Sequence, residues 1–154
     1  MHDVINSNSG LLDTCRIQFV LGVRTDFNAH QKNIEKEKNF EYNDETIINL
    51  ILDYMDNHEE LDDISMTIQP ARGLYKTKYG CPKDGEKLYR CISVYNPMYE
   101  DKEGWYKTVL QYAKNLSEYF NQAICTVIIE NYDPEHPIQS IYFKNSYVTG
   151  KNIL

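Results

Sequence analysis

Between Gly104 and Glu130 the period of the apolar positions changes once, and the change predicts a helix joined directly to a strand. Trp105, Val109, Tyr112, Ala113, Leu116 and Phe120 follow the three-and-four spacing of one helix side, while Lys107, Gln111, Lys114, Asn115 and Glu118 fall elsewhere. The run from Ala123 to Ile129 is rich in β-branched residues, too short for another helix and too apolar for a loop, so it reads as a well-buried strand. Only Asn121 and Gln122 remain for the turn. The helix must therefore lie back across the sheet that the strand joins, which makes layered helix-on-sheet structure the expectation.

Upstream, Ile17, Phe19, Leu21 and Val23 alternate with Arg16, Gln18, Val20 and Gly22, the period of a strand with one face in the core. Residues 24–42 are polar and charged, with Phe27, Ile34, Phe40 and Tyr42 as the available anchors, and read as a long connection with a helical turn near Lys32–Lys38. Asn43 or Asp44 can cap a helix whose apolar positions are Ile47, Ile48, Ile51, Leu52, Tyr54 and Met55. Ile64, Met66 and Ile68 alternate in a second strand expected to stop at Pro70. A third, from about Lys87 to Tyr95, sets Leu88, Arg90, Ile92 and Val94 against Tyr89, Cys91, Ser93 and Tyr95.

Strand, helix, strand, strand, helix, strand is the order of an α+β, ferredoxin-like split βαβ sandwich, an antiparallel sheet with both helices on one face. Its core is expected to unite Phe19, Ile51, Ile92, Trp105, Leu116, Phe120 and Ile128, with Ser140–Phe143 adding a short edge strand. Residues 15–143 would form the single domain, between a flexible arm (1–14) and a tail (144–154). With the first set of the third strand in the core, Tyr89, Cys91 and Tyr95 would be left on an uncovered aromatic face, so self-association as a homodimer is expected.

Composition narrows the class. The chain has 154 residues, 42% hydrophobic and 25% charged, the balance of an ordinary globular domain. It has no apolar run near the roughly 18 residues that would span a bilayer, and its first residues lack the basic and apolar parts of a signal peptide. No membrane partner and a cytoplasmic location are expected. The cysteines at 15, 81, 91 and 125 show no metal-knuckle or redox spacing. Cys15, Cys91 and Cys125 fall in strands as small buried hydrophobes, and Cys81, beside Pro82, is the exposed one. A net charge of −7 argues against general binding to nucleic acid or anionic lipid.

Two segments stand out chemically. The acidic run holding Asp56, Glu59, Glu60, Asp62 and Asp63 follows the first helix, where negative charge does not favour the helix; it lacks the order of a calcium loop, and a solvated face is the simpler reading than a metal site. The hairpin 72–90 carries Arg72, Lys76, Lys78, Lys83, Lys87 and Arg90 against Asp84 and Glu86, a net +4 in a chain whose remainder carries −11. Tyr75, Tyr79 and Tyr89 are interleaved with those cations. Rings and cations so mixed can hold a nucleotide or single-stranded nucleic acid, or anchor a protein; otherwise the lysines blunt a sheet edge. His2, His30, His58 and His136 are scattered, and His136, between Pro134 and Pro137, reads as part of a rigid turn. No phosphate loop, zinc pair, nucleophile elbow or cofactor motif is present in the sequence, so no catalytic residue, metal ligand or cofactor is assigned.

Three pieces of sequence carry a family likeness: Ile17-Gln18-Phe19-Val20-Leu21-Gly22, Met66 through Pro70-Ala71-Arg72-Gly73 to Tyr75, and Tyr112-Ala113-Lys114 through Phe120 into Cys125-Thr126-Val127. Over residues 16–129 the chain resembles a small bacterial family of unknown function with a ferredoxin-like domain. These are packing and turn features, so the resemblance implies a fold and no reaction. The expected function is non-catalytic binding by a small acidic inhibitor or regulator of a protein partner, of the kind a phage or mobile element carries. Arg72, Tyr75, Lys76, Lys78, Tyr79, Lys83 and Arg90 would make the contact and the acidic surface would steer it. Nucleotide or single-stranded nucleic-acid binding through the same hairpin is the alternative, and a small enzyme is the third reading.

Overall fold

Ile17, Phe19 and Leu21 are buried and Arg16, Gln18 and Val20 are not, so the two-residue alternation of the first strand sets one face of a sheet against the core. In the computed structural model, which describes residues 8–23, 43–98, 101–120 and 122–145, this strand, β1 (Arg16–Gly22), lies at the centre. It is followed by α1 (Asp44–Asp56), β2 (Thr67–Gly73), β3 (Glu86–Val94), α2 (Lys102–Tyr119), β4 (Ile124–Asp133) and β5 (His136–Lys144). The strands form one sheet in the order β2-β3-β1-β4-β5, every neighbour antiparallel. This is the ferredoxin-like α+β arrangement with β5 added beyond β4. The readings for 1–7, 24–42 and 146–154 lie outside the described residues.

Both helices start where side chains accept their free amides. Asn43 Oδ1 takes the Thr46 N–H at 2.8 Å, and Asp101 Oδ1 takes the Gly104 N–H at 2.7 Å. Each then turns its apolar side to the sheet: Ile47 and Ile51 from α1, and Trp105, Val109, Tyr112, Ala113 and Leu116 from α2. The face they cover is fixed by register, for Phe19 stands opposite Cys91 and Val127, Ile17 opposite Ser93 and Ile129, and Leu21 opposite Tyr89.

That register corrects three expectations. The covered side of β3 is Tyr89, Cys91 and Ser93, whereas Ile92 and Ile128, both opposite Gln18, lie half-buried on the helix-free side and leave the expected core list. The cause is polar: the fully buried Trp105 donates its indole N–H to Ser93 Oγ at 2.9 Å, and that hydroxyl donates to the Ser65 carbonyl at 2.9 Å. Tyr89, also fully buried, reaches Asp44 Oδ1 with its hydroxyl at 2.6 Å. The aromatic face from which self-association was argued is thus the helix-covered one. Second, β2 does not stop at Pro70 but passes through it to Gly73, with Pro70 opposite Tyr89. An edge strand with a partner on one side can carry a residue that has no backbone N–H. Third, β5 is a full edge strand of 9 residues, and β4 runs on to Asp133 through an irregularity where Asn131 takes a left-handed φ of 61°.

Two outcomes follow for stability. Ser93→Ala strands a buried indole N–H and should cost about 1–3 kcal/mol in urea unfolding; an unchanged midpoint would mean that the bond does not select the face. The hydrogen bond from Tyr89 and then the Lys87 ammonium, 3.2 Å away, hold the Asp44 carboxyl below the usual carboxylate range. A depressed folded pKa contributes stability above the ordinary value of about 3.9, and loses it as pH falls through the folded one. Asp44→Asn should lower the melting temperature near neutral pH, with the deficit shrinking on acidification; a deficit that is constant with pH would contradict the ionic origin.

Candidate functional site

The chain that leaves α1 builds a recess against α2. Asn57 closes the helix, its side-chain amide on the Asp53 carbonyl at 2.8 Å, and His58 folds back so that Nδ1 lies 2.6 Å from the Tyr54 carbonyl. Its ring stacks on Tyr54 with centroids 3.8 Å apart. A turn closed by the Leu61 N–H on the His58 carbonyl then brings the following residues beside α2. The result is a recess of about 390 Å³ lined by Met55, Asp56, His58, Glu59, Leu61, Asp62, Asp63, Ile64 and Tyr112. That is the size of small-molecule sites, which run from roughly 300 to 1,000 Å³.

Gly104 makes the approach to α2 close. A Cβ there would meet oxygens of Asp62 and Asp101 at 2.9 Å, so the missing side chain is what lets Asp62 lie against the first turn of α2. That turn is the positive end of the helix, a favourable place for a carboxylate. Four carboxylates therefore ring a patch formed by Met55, Leu61, Ile64 and the Tyr112 ring. Burial pushes the Tyr112 phenol up, helped by Tyr54, Glu60, Asp63 and Asp56, and burial likewise raises Tyr54. Negative potential over an apolar and aromatic floor suits an organic cation. Of the expected acidic surface, Asp56, Glu59, Asp62 and Asp63 line the recess, while Glu60 stands outside it and acts on the tyrosines through its charge.

The basic hairpin does not converge. Arg72 lies near the end of β2 and adds to the positive charge around Asp44; Lys87 pairs with Asp44. Past Tyr75 and Lys76, a 3-10 turn (Thr77–Tyr79) holds Lys78 over the Tyr79 ring at 5.0 Å and ends at Gly80, whose φ of 98° favours glycine. Lys83 is exposed in the return loop. Arg90 is on the helix-free side of β3, its Nε 2.8 Å from Gln18 Oε1. The seven residues are spread over a tip, a loop and a sheet face rather than gathered at one ligand.

The thiols and the His136 imidazole are placed away from the recess, which His58 alone of the described histidines lines. Burial raises Cys91 to about 12 and Cys125 to about 11, and raises Cys15 also, so these three are neutral packing residues at physiological pH. Cys81 is half-buried, its thiol directed at the Pro82 carbonyl at 3.5 Å. His136 has the partner that sequence could not show, Asp133 Oδ2 at 3.1 Å, but the pair is exposed on the β4–β5 turn. A second recess, of about 540 Å³, is lined by Leu12, Cys15, Tyr95, Lys102 and Asn131 among others. Its nearness to Leu12 was not legible in a segment without periodicity. Among the described residues no three His, Cys, Asp or Glu side chains meet as a metal site, and no helix is long and apolar enough to cross a membrane.

Comparison with known proteins now bears on this geometry. A phage SAM lyase in its apo state superposes with a TM-score of 0.53 at 15% identity, covering 90% of this chain and 98% of that one, a likeness of fold. A phage SAM lyase in complex with S-methyl-5′-thioadenosine gives a TM-score of 0.48 at 16% identity, covering 86% and 95%. No curated protein sequence matches. The family that matches by sequence is SAM lyase, over residues 39–144. This overturns the expectation of a non-catalytic inhibitor or regulator, because a lyase is an enzyme, and it replaces the resemblance to a family of unknown function with one named for its activity. Since the match takes in more than half of its residues, the chain belongs to the SAM lyase family.

Proposed function

We propose that this protein binds S-adenosylmethionine in the recess between α1 and α2 and cleaves it without water. The family match over residues 39–144 carries the reading, and the charge and size of the recess support it. S-adenosylmethionine bears a sulfonium and an ammonium against one carboxylate, a net positive charge that a ring of Asp56, Glu59, Asp62 and Asp63 attracts. No helix among the described residues is suited to crossing a membrane, and the reading puts the protein in the cytoplasm with its substrate.

The simplest water-free balance uses the substrate's own carboxylate. One of its oxygens bonds to Cγ as the Cγ–S bond breaks, and the bonding electrons leave with sulfur. The products are a neutral thioether, S-methyl-5′-thioadenosine, and a four-carbon lactone; no proton moves and no outside nucleophile is needed. Two opposite charges disappear along this path, so a site that excludes water and folds the chain into an attack geometry accelerates it. Carboxylates that held the sulfonium would stabilise the reactant more than the transition state. The acidic rim therefore serves best by holding the ammonium and the ribose hydroxyls, leaving the sulfonium over Tyr112, Met55, Leu61 and Ile64.

The purified protein should convert S-adenosylmethionine to S-methyl-5′-thioadenosine, followed by chromatography and mass spectrometry. The paired exchange Glu59→Gln with Asp63→Asn, both on the exposed rim, should raise KM about tenfold or more, the equivalent of one lost charge-assisted bond, with the circular dichroism unchanged. No turnover by the parent would sink the activity. Turnover that the pair leaves untouched would sink the recess as its site.

A further inference from the structure

The segment that leads into β1 is held by two neighbouring strands. Asn131 Nδ2 donates to the Thr14 carbonyl at 3.0 Å, and the Tyr95 N–H donates to the Cys15 carbonyl at 2.9 Å. Residues 12–15 thereby become one wall of the recess of about 540 Å³, which is within the size of small-molecule sites. Asn131 makes its bond from a left-handed φ of 61°, inside the irregularity between Glu130 and Asp133 in the pairing of β4 with β5. Asparagine tolerates that conformation better than most residues, but the interruption also forfeits regular pairing, and such departures gather at functional sites.

Two opposite charges line this recess without joining each other. Lys102, half-buried at the first position of α2, and Asp13 on the segment before β1 each have no ion-pair partner among the described residues. The Lys102 ammonium lies 5.4 Å from the centroid of the Tyr132 ring, and its charge reaches Cys15, where it works against the effect of burial on that thiol. A half-buried cation without an anion has lost hydration that no carboxylate beside it returns. We propose that this recess is a second ligand site, which takes a free zwitterionic α-amino acid with an apolar side chain, the carboxylate on Lys102 and the ammonium on Asp13.

Charge and lining choose that class. The recess between α1 and α2 is lined by four carboxylates and no lysine or arginine, and attracts a ligand of net positive charge; this one has one charge of each sign. A simple anion would gain Lys102 but meet Asp13, and a simple cation the reverse, whereas a zwitterion satisfies both. Leu12, the Tyr95 ring, Pro97, Pro134 and Pro137 supply an apolar surface for its side chain. Proline rings have a fixed φ and little freedom to lose, so these walls are preorganised. A thioether side chain suits them, since sulfur gains further against an aromatic ring. The two recesses share no residue, so the inference stands whether or not the acidic one binds S-adenosylmethionine.

Titration of L-methionine into the full chain, followed through amide chemical shifts by NMR, is the test. Saturable shifts centred on Thr14, Cys15, Tyr95, Lys102 and Asn131 are expected. The methyl ester, which lacks the carboxylate, and N-acetyl-L-methionine, which lacks the ammonium, should each bind about tenfold more weakly or worse, the equivalent of one lost charge-assisted bond. Lys102→Gln and Asp13→Asn should each weaken methionine binding to the same extent with the circular dichroism unchanged, and Glu59→Gln with Asp63→Asn should bind it as the parent does. The proposal is overturned by the absence of saturable shifts, by shifts gathered between Asp56 and Ile64 instead, by either derivative binding as tightly as the free amino acid, or by variants at 13 and 102 that bind like the parent.

Discussion

Trp105 is the largest fully buried side chain, and its indole N–H finds its acceptor at Ser93 Oγ. A buried donor left without a partner is expensive, and the indole is also too large to be moved aside. The bond therefore does more than add its own energy: it decides which side of β3 faces the helices. The Ser93 hydroxyl passes the constraint on by donating to the Ser65 carbonyl, just ahead of β2. At the other end of the same strand, Tyr89 and Asp44 join β3 to the first turn of α1. Two polar contacts thus tie a helix to each end of one strand, with the apolar core of Ile17, Phe19, Leu21, Val127 and Ile129 packed between them.

The same contacts explain what could be read from sequence and what could not. β1, α1 and α2 are legible because one of their faces is apolar and the other is not, as with Ile17-Phe19-Leu21 against Arg16-Gln18-Val20, and β4 because its run from Ala123 to Ile129 is β-branched and apolar throughout. In β3 both faces are mixed. Leu88, Ile92 and Val94 look more hydrophobic than Tyr89, Cys91 and Ser93, yet the second set is buried, because its hydroxyls serve Trp105 and Asp44 from across the fold. No local pattern contains that information. Pro70 misled for a related reason: whether a proline ends a strand or rides its edge depends on the strand order, which follows from the pairing of β3 with β1 and β2.

For the site the sequence pointed in a useful and a misleading direction together. The acidic run was recognised as serving no helix, which leaves its cost to be explained by something else. What sequence lacked was Tyr112, far along the chain on the second helix, and Gly104, whose missing side chain admits Asp62 to the start of α2. The hairpin 72–90 drew attention through its local charge, but charge that is contiguous in sequence is divided in space between a tip, an ion pair with Asp44 and a sheet face. No convergent nucleophile, base and acid in the sequence point to enzyme chemistry. A substrate that carries its own carboxylate nucleophile and its own sulfonium leaving group asks for none of these, so a binding site for an organic cation is the signature such an enzyme would show.

The most direct measurement is the location of the ligand on the protein. Amide chemical shifts can be followed by NMR as S-adenosylhomocysteine, which keeps the adenosine, ammonium and carboxylate but has no sulfonium to expel, is titrated into the chain. Shifts concentrated between Asp56 and Ile64 and around Tyr112 are the expected result. Shifts confined to the hairpin around Tyr75–Tyr79, or to the recess at Leu12–Cys15, would contradict it.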